Sequence, residues 1–199
     1  MAAQITHIVY GRKVFERQKG LLWNEFVIGT LFPDIRYLAK IDRNSTHVFH
    51  TSEEEIPKND SFSAGKYVHC LIDEKREAFL RESGMYDLIF HETLPITAIK
   101  LLEDFLVYEE FNGWNEVIVA LNTFPTKELS FGVEREKLVE WYSLLQEYFS
   151  QKPTIETCKR QILKIGFDEK VALAVLTMVS EYQKNEKIVK IIKETYKAI

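Results

Sequence analysis

Apolar residues recur along most of this chain at intervals of three and four, the spacing that lines one face of an α-helix. Ile5, Ile8, Val9, Val14 and Phe15 predict a first helix starting near Thr6, and Leu21 to Phe32 is a second apolar segment that Pro33 should end. Residues 39–61 lose the pattern. They are polar, carry Asn44-Ser45, Glu53-Glu54-Glu55 and Pro57, and read as a long loop, which in a compact domain often belongs to a site. The pattern returns at Phe62, Tyr67, Val68, Leu71, Ile72 and Phe79, predicting a buried helix over 62–80. Pro95 opens another that runs to about Phe111, before Gly113. Residues 114–122 fit a short helix or, through Val117-Ile118-Val119, a strand; helix is preferred because no partner strand is evident. Residues 125–132 read as a loop. Leu138, Trp141, Leu144, Leu145 and Tyr148 mark an amphipathic helix, and Pro153, Gly166 and Asn185 punctuate three more helical segments. The last of these sets Ile188, Ile191 and Ile192 against a lysine-rich face. That suits a terminal helix packed on a bundle, with a membrane-surface or partner helix as the alternative. The expectation is a single all-α domain over 1–199, a multi-helix bundle.

Composition changes this picture little. Hydrophobic residues make up 46% and charged residues 28%, enough for a full core. Twenty-six basic against thirty acidic residues leave a net charge of −4, which argues against a dedicated nucleic-acid surface. The N-terminus lacks the basic start and apolar run of a signal peptide, and the longest apolar stretch, Val171 to Val179, is too short to span a bilayer. The expectation is a cytoplasmic protein, or one exported by a signal-independent route. Two cysteines, Cys70 and Cys158, exclude a disulfide scaffold and a cysteine-based zinc finger, and Cys70 reads as a buried, inert thiol.

The histidines are unevenly placed: all five fall between His7 and His91. His69 and Asp73 are four apart, so they share one helix face, set among Val68, Leu71 and Ile72. An ionisable pair on an apolar face must be satisfied, by a mutual hydrogen bond or by a metal. Gly65, one turn earlier on that face, leaves room for another segment to approach. Asp34 follows Pro33 at a helix end, His47 lies in the polar loop after Arg43, and His7 lies in the first turn of the first helix. Taken singly, these read equally as a turn aspartate, an exposed loop histidine and a helix-end histidine. Together the five offer three imidazoles and two carboxylates, a set suited to zinc, manganese or iron and less to magnesium. Arg36 and Arg43 flank two of them and are candidates to hold a phosphate, or simply surface charge. His50 ranks behind His47. His91-Glu92 reads as a helix end, with an outer ligand or general acid as its alternative. Glu103-Asp104 is either a solvated acidic stripe or a carboxylate reaching back to orient a histidine.

The order His in Thr6-His7-Ile8, then Pro33-Asp34, then Arg43-x3-His47, then Gly65-x3-His69-x3-Asp73 resembles zinc-dependent phospholipase C and its short bacterial relatives, which share an all-helical fold with P1-type nucleases. The resemblance covers about the first 80 residues. It implies that Asp34, His47, His69 and Asp73 bind one zinc, and that Asp73 bridges to a second that His7 helps to hold. The chain departs from the family in three respects. After His69 it has no His-x3-Glu for a third zinc, Met1-Ala2-Ala3 and further residues precede His7 where the secreted enzymes place an N-terminal tryptophan, and it carries no export signal. The expectation is a metal-dependent hydrolase, a phosphoesterase with Asp34 as catalytic carboxylate, one or two zinc ions, and a small phosphoester or lipid headgroup as substrate. Its site lies in residues 1–92, with 93–199 as helical scaffold. The alternative is a helical interaction protein that retains a structural metal. An HD-type phosphohydrolase needs a His-Asp dipeptide, and none occurs.

Overall fold

The periodic segments fold as helices, and the computed structural model describes them over residues 3–89, 92–123 and 127–199. In chain order they are α1 (Gln4–Arg17), α2 (Trp23–Leu31), α3 (Arg36–Ala39), α4 (Arg43–Thr46), α5 (Ser61–Glu82), α6 (Met85–Leu88), α7 (Thr93–Val107), α8 (Trp114–Ala120), α9 (Arg135–Phe149), α10 (Ile155–Lys164), α11 (Glu169–Tyr182) and α12 (Glu186–Ala198). Among the described residues there is no strand, so 114–120 is helical as preferred, and the architecture is an all-α bundle.

Local chemistry sets most boundaries. Asp60 accepts from the Ser63 amide at the start of α5. Thr154 and Thr157 exchange hydrogen bonds in a capping box at α10. Asp168 and Asn185 cap α11 and α12. The helix around Pro95 begins two residues earlier than predicted. Proline is tolerated there because first-turn amides lack an intrahelical acceptor. Pro33 ends α2 by switching the chain into a 3-10 turn, Phe32–Ile35, rather than by breaking it. The predicted loop over 39–61 holds the one-turn α4, capped by Asp42, and a 3-10 turn at Glu53–Glu55. Within the predicted loop 125–132, Glu128–Phe131 is likewise a 3-10 turn. Elements of one turn carry no periodicity to read.

The tightest packing is between α2 and α5. A Cβ on Gly29 would lie 2.0 Å from the carbonyl oxygen of Phe62, and one on Gly65 would lie 2.0 Å from that of Phe26. The two glycines let the backbones touch, as expected of Gly65. Around this pair α1 packs on α2, α5 and α7, while α11 covers α7. Helix α12 buries Ile188, Ile191 and Ile192 against α5 and α7, so the terminal helix belongs to the bundle. No helix among the described residues is long and apolar enough to cross a membrane.

Candidate metal centre

His69 and Asp73 project from the middle of α5, His7 from the second turn of α1, Asp34 from the 3-10 turn after α2, and His47 from the end of α4. These four pieces of chain converge, and all five side chains are buried, none more than 5% exposed. His47 is therefore not an exposed loop histidine. The loop that carries it is stitched to one face of α5. Cys70 Sγ accepts from the Val48 amide, Glu74 accepts from the His50 and Thr51 amides, and Tyr67 Oη accepts from the Ser52 amide. Tyr67, Cys70 and Glu74, at spacings of three and four, were the sequence signal for that docking.

The imidazoles of His7 and His69 stack with ring centroids 3.8 Å apart, and His47 meets His69 edge-on at 5.1 Å. His7 Nε2 lies 3.3 Å from Asp73 Oδ1, without the alignment of a hydrogen bond. His69 Nε2 lies 3.8 Å from Asp73 Oδ2 and 4.0 Å from Asp34 Oδ1. The ligand atoms form two overlapping groups, His7–Asp34–His69 and His47–His69–Asp73, each within 4.8 Å. His69 is thus common to both. Asp34 falls beside His7, a different division from the one the resemblance implies.

The hydrogen bonds define the tautomers. His7 Nδ1 donates to the Ala3 carbonyl at 3.0 Å and His69 Nδ1 to the Thr30 carbonyl at 2.9 Å. Thr46 Oγ1 donates to the Arg43 carbonyl, so at 2.9 Å it accepts from His47 Nδ1. Every Nδ1 therefore carries a proton, which leaves each Nε2 as the atom turned toward the carboxylates. All three Nε2 atoms are buried without a hydrogen-bond partner, as is Asp34 Oδ1. Leaving such an atom unsatisfied costs about 1–3 kcal/mol. Burial pushes His69 down to about 3 and His47 down to about 4, so both imidazoles are neutral near pH 7. Burial opposes ionisation of Asp34, but His69 and His7 outweigh it and hold the carboxyl below its ordinary value.

These donors fit a divalent transition metal. Two atoms bound to one ion at about 2.0–2.2 Å lie at most about 4.4 Å apart; the His69–Asp73 and His69–Asp34 separations of 3.8 and 4.0 Å fall inside that limit, and the rest of each group lies within 4.8 Å, so small side-chain shifts would close each group on an ion. A ligating histidine characteristically ties its other ring nitrogen to a carbonyl or hydroxyl, as all three do here.

The surroundings sort the remaining predicted residues. Arg43 lies 3.8 Å from Asp73 Oδ2 and, with Asp73, Glu74 and Arg81, lines an open groove of about 570 Å³. Arg36 donates to Tyr37 Oη at 2.7 Å and stacks on that ring. His50 is exposed and outside the cluster. Glu92 is an exposed N-terminal flank of α7, and His91 lies outside the described residues. Cys70 and Cys158 are buried thiols that burial pushes up to about 11 and about 12.

Glu103 and Asp104 are not a solvated stripe, since both are fully buried. Neither touches a histidine. Glu103 pairs with Arg76 and accepts from Tyr10 Oη. Asp104 accepts from the amides of Ile5 and Thr6, from Thr6 Oγ1 and from Tyr148 Oη. Helix α1 has no side-chain cap of its own, so this carboxylate from α7 caps it, one residue before His7. Gln4 adds a brace: its Nε2 donates to Asp34 Oδ2 at 2.7 Å. No local pattern marks Gln4, Thr30 or Thr46.

No family model, curated protein or solved structure matches this chain.

Proposed function

We propose that the protein is a metal-dependent hydrolase of phosphoesters, with one or two transition-metal ions, most simply zinc, held by His7, Asp34, His47, His69 and Asp73. One observation carries the reading: three imidazoles, each with Nδ1 already engaged, aim buried Nε2 atoms without a hydrogen-bond partner into a space shared with two carboxylates. Core hydrogen bonding alone leaves those atoms unsatisfied. The order of the five residues, which resembles that of zinc-dependent phospholipase C, supports the same reading.

His7, Asp34, His47, His69 and Asp73 would hold such an ion, which would supply water activation near neutral pH and charge withdrawal from a phosphoryl group. The chain's own groups do the rest. Asp34, kept ionised beside the imidazoles, is the carboxylate that accepts a proton. Arg43, on the open groove beside Asp73, is placed to hold a phosphate oxygen, a role for which Arg36, stacked on Tyr37, is less well placed. Helix α5 and the Asp104 cap fix the imidazoles in position before substrate arrives.

Elemental analysis of protein purified without a histidine tag tests the reading. At least one transition-metal ion per chain is expected. Asp73→Asn and His69→Gln should lose most of it, and His50→Asn should keep it. Hydrolysis of phosphomonoester or phosphodiester substrates should disappear on chelation. Metal-free wild-type protein overturns the proposal. Stoichiometric metal without hydrolysis across such a panel identifies the chain instead as a helical interaction protein with a structural ion.

A further inference from the structure

Besides facing the imidazoles, Asp34 lines a cavity of about 330 Å³, bounded by the start of α1, by α7, α9 and α10, and by the turn after α10. Among the described residues it shares no lining with the groove of Arg43 and Asp73. Its volume lies at the small end of small-molecule pockets, which run from about 300 to 1,000 Å³. Ile96, Trp141, Ile162, Ile165 and Phe167 give it a largely apolar wall. The charged groups on that wall are already engaged. Asp34 Oδ2 accepts from Gln4, and Oδ1 faces His69. Asp104 accepts from the start of α1 and from Tyr148. Lys100, partly exposed, stands in the field of Asp34 and Asp73. An entering anion thus meets two carboxylates, an entering cation meets Lys100, and either loses its hydration against apolar side chains. A neutral molecule bears none of these costs.

We propose that this cavity holds the uncharged, apolar alcohol portion of the phosphoester, a compact single chain. The assignment rests on the hydrolase reading for the phosphate and on the cavity alone for the organic group. Asp34 joins the two, because of the five ligands it is the one on the cavity wall. For a phosphate beside the imidazoles, the apolar room adjoining Asp34 is this cavity. On hydrolysis the bond from phosphorus to the alcohol oxygen breaks, a water oxygen bonds to phosphorus, and a water proton ends on the alcohol. The product left in the cavity is then the neutral, apolar molecule that its walls suit. A pocket of this size is too small for the two acyl chains of a membrane lipid. Residues 93–199 thereby set substrate choice and are not scaffold alone.

Isothermal titration calorimetry on the purified full chain near neutral pH tests it, with 1-octanol, octanoate and octylammonium as probes of one chain length and different charge. Octanol should bind, and each ion should bind about tenfold more weakly or worse. Lys100→Met removes the charge that a cation meets, so octylammonium should gain affinity while octanol keeps its own. Ile96→Trp and Ile165→Trp, both at partly exposed positions, fill the cavity from α7 and from the turn after α10, and should abolish octanol binding. Circular dichroism shows which variants are folded. In the metal-loaded chain, octyl phosphate should be hydrolysed with a kcat/KM about tenfold above that of glycerol phosphate. The proposal is overturned if octanol does not bind, if either ion binds as tightly, if a folded cavity-filling variant keeps full octanol affinity, or if an active chain does not prefer octyl phosphate. The three-probe comparison on the wild-type chain decides even if both variants fail to fold. The two readings fail separately. An active, metal-loaded chain that ignores octanol overturns this inference alone, and a chain that selects octanol but hydrolyses no phosphoester loses only the hydrolase reading.

Discussion

At the scale of single residues the centre rests on where protons sit. His47 and His69 are held to about 4 and about 3 in the folded chain, against an ordinary value of about 6.5 in the unfolded one. The unfolded chain therefore takes up protons first as pH falls. The stability linked to these groups is complete above about pH 6.5 and drains away toward pH 4 and below. Asp34 and Asp73, also depressed, act in the same direction at lower pH. Urea midpoints of chelated protein should thus fall steadily from pH 7 to pH 4. His47→Gln, which keeps a hydrogen-bonding side chain but cannot titrate, should flatten that slope. A midpoint that holds level or rises over this range contradicts the assignment of buried neutral imidazoles.

Among the elements, the crossing of α2 and α5 couples packing to the site. Gly29 and Gly65 bring the backbones into contact, and that contact places the Thr30 carbonyl 2.9 Å from His69 Nδ1. An added methyl group there meets backbone, which cannot rotate away. Gly65→Ala should therefore destabilise the protein by about 3 kcal/mol, the upper range for overpacking, and reduce bound metal as Thr30 shifts. Gly11→Ala is the contrast. Its Cβ would meet Thr30 Cγ2 at 3.5 Å, an ordinary contact, and the substitution should be neutral or stabilising because alanine is the better helix former. Urea unfolding and metal content of the two variants check both outcomes. Equal stabilities would remove the close-approach argument.

Across the whole molecule, the two halves of the chain complete each other. Residues 93–199 contain no predicted metal ligand, yet Asp104 caps α1 next to His7 and Glu103 neutralises the fully buried Arg76 of α5. Removing one partner of a buried pair costs about 3–5 kcal/mol. A fragment ending at residue 92 should accordingly fail to fold. Its amide proton spectrum should lack dispersion, with or without zinc, while the full chain is dispersed. A cooperative unfolding transition in that fragment would show that the first half is an independent unit.

Much of this was legible in the sequence, for a definable reason. Helical periodicity is local, so the long helices could be read directly, and so could the face shared by His69 and Asp73. Ligand types and their order are also properties of the chain alone, and they marked His7, Asp34, His47, His69 and Asp73. The rest depends on contacts between distant residues. Gln4 reaches Asp34 across 30 residues, His69 reaches Thr30 across 39, and Thr6 reaches Asp104 across 98. One-turn helices carry no period, and the burial of His47 depends on how its loop docks on α5. The sequence by itself determined an all-helical chain and the identity of five candidate ligands. Only the tertiary structure decided that they converge, which nitrogen of each imidazole is left to bind, and that an apolar cavity lies beside them. Those outcomes depend on packing between segments, which no local pattern encodes.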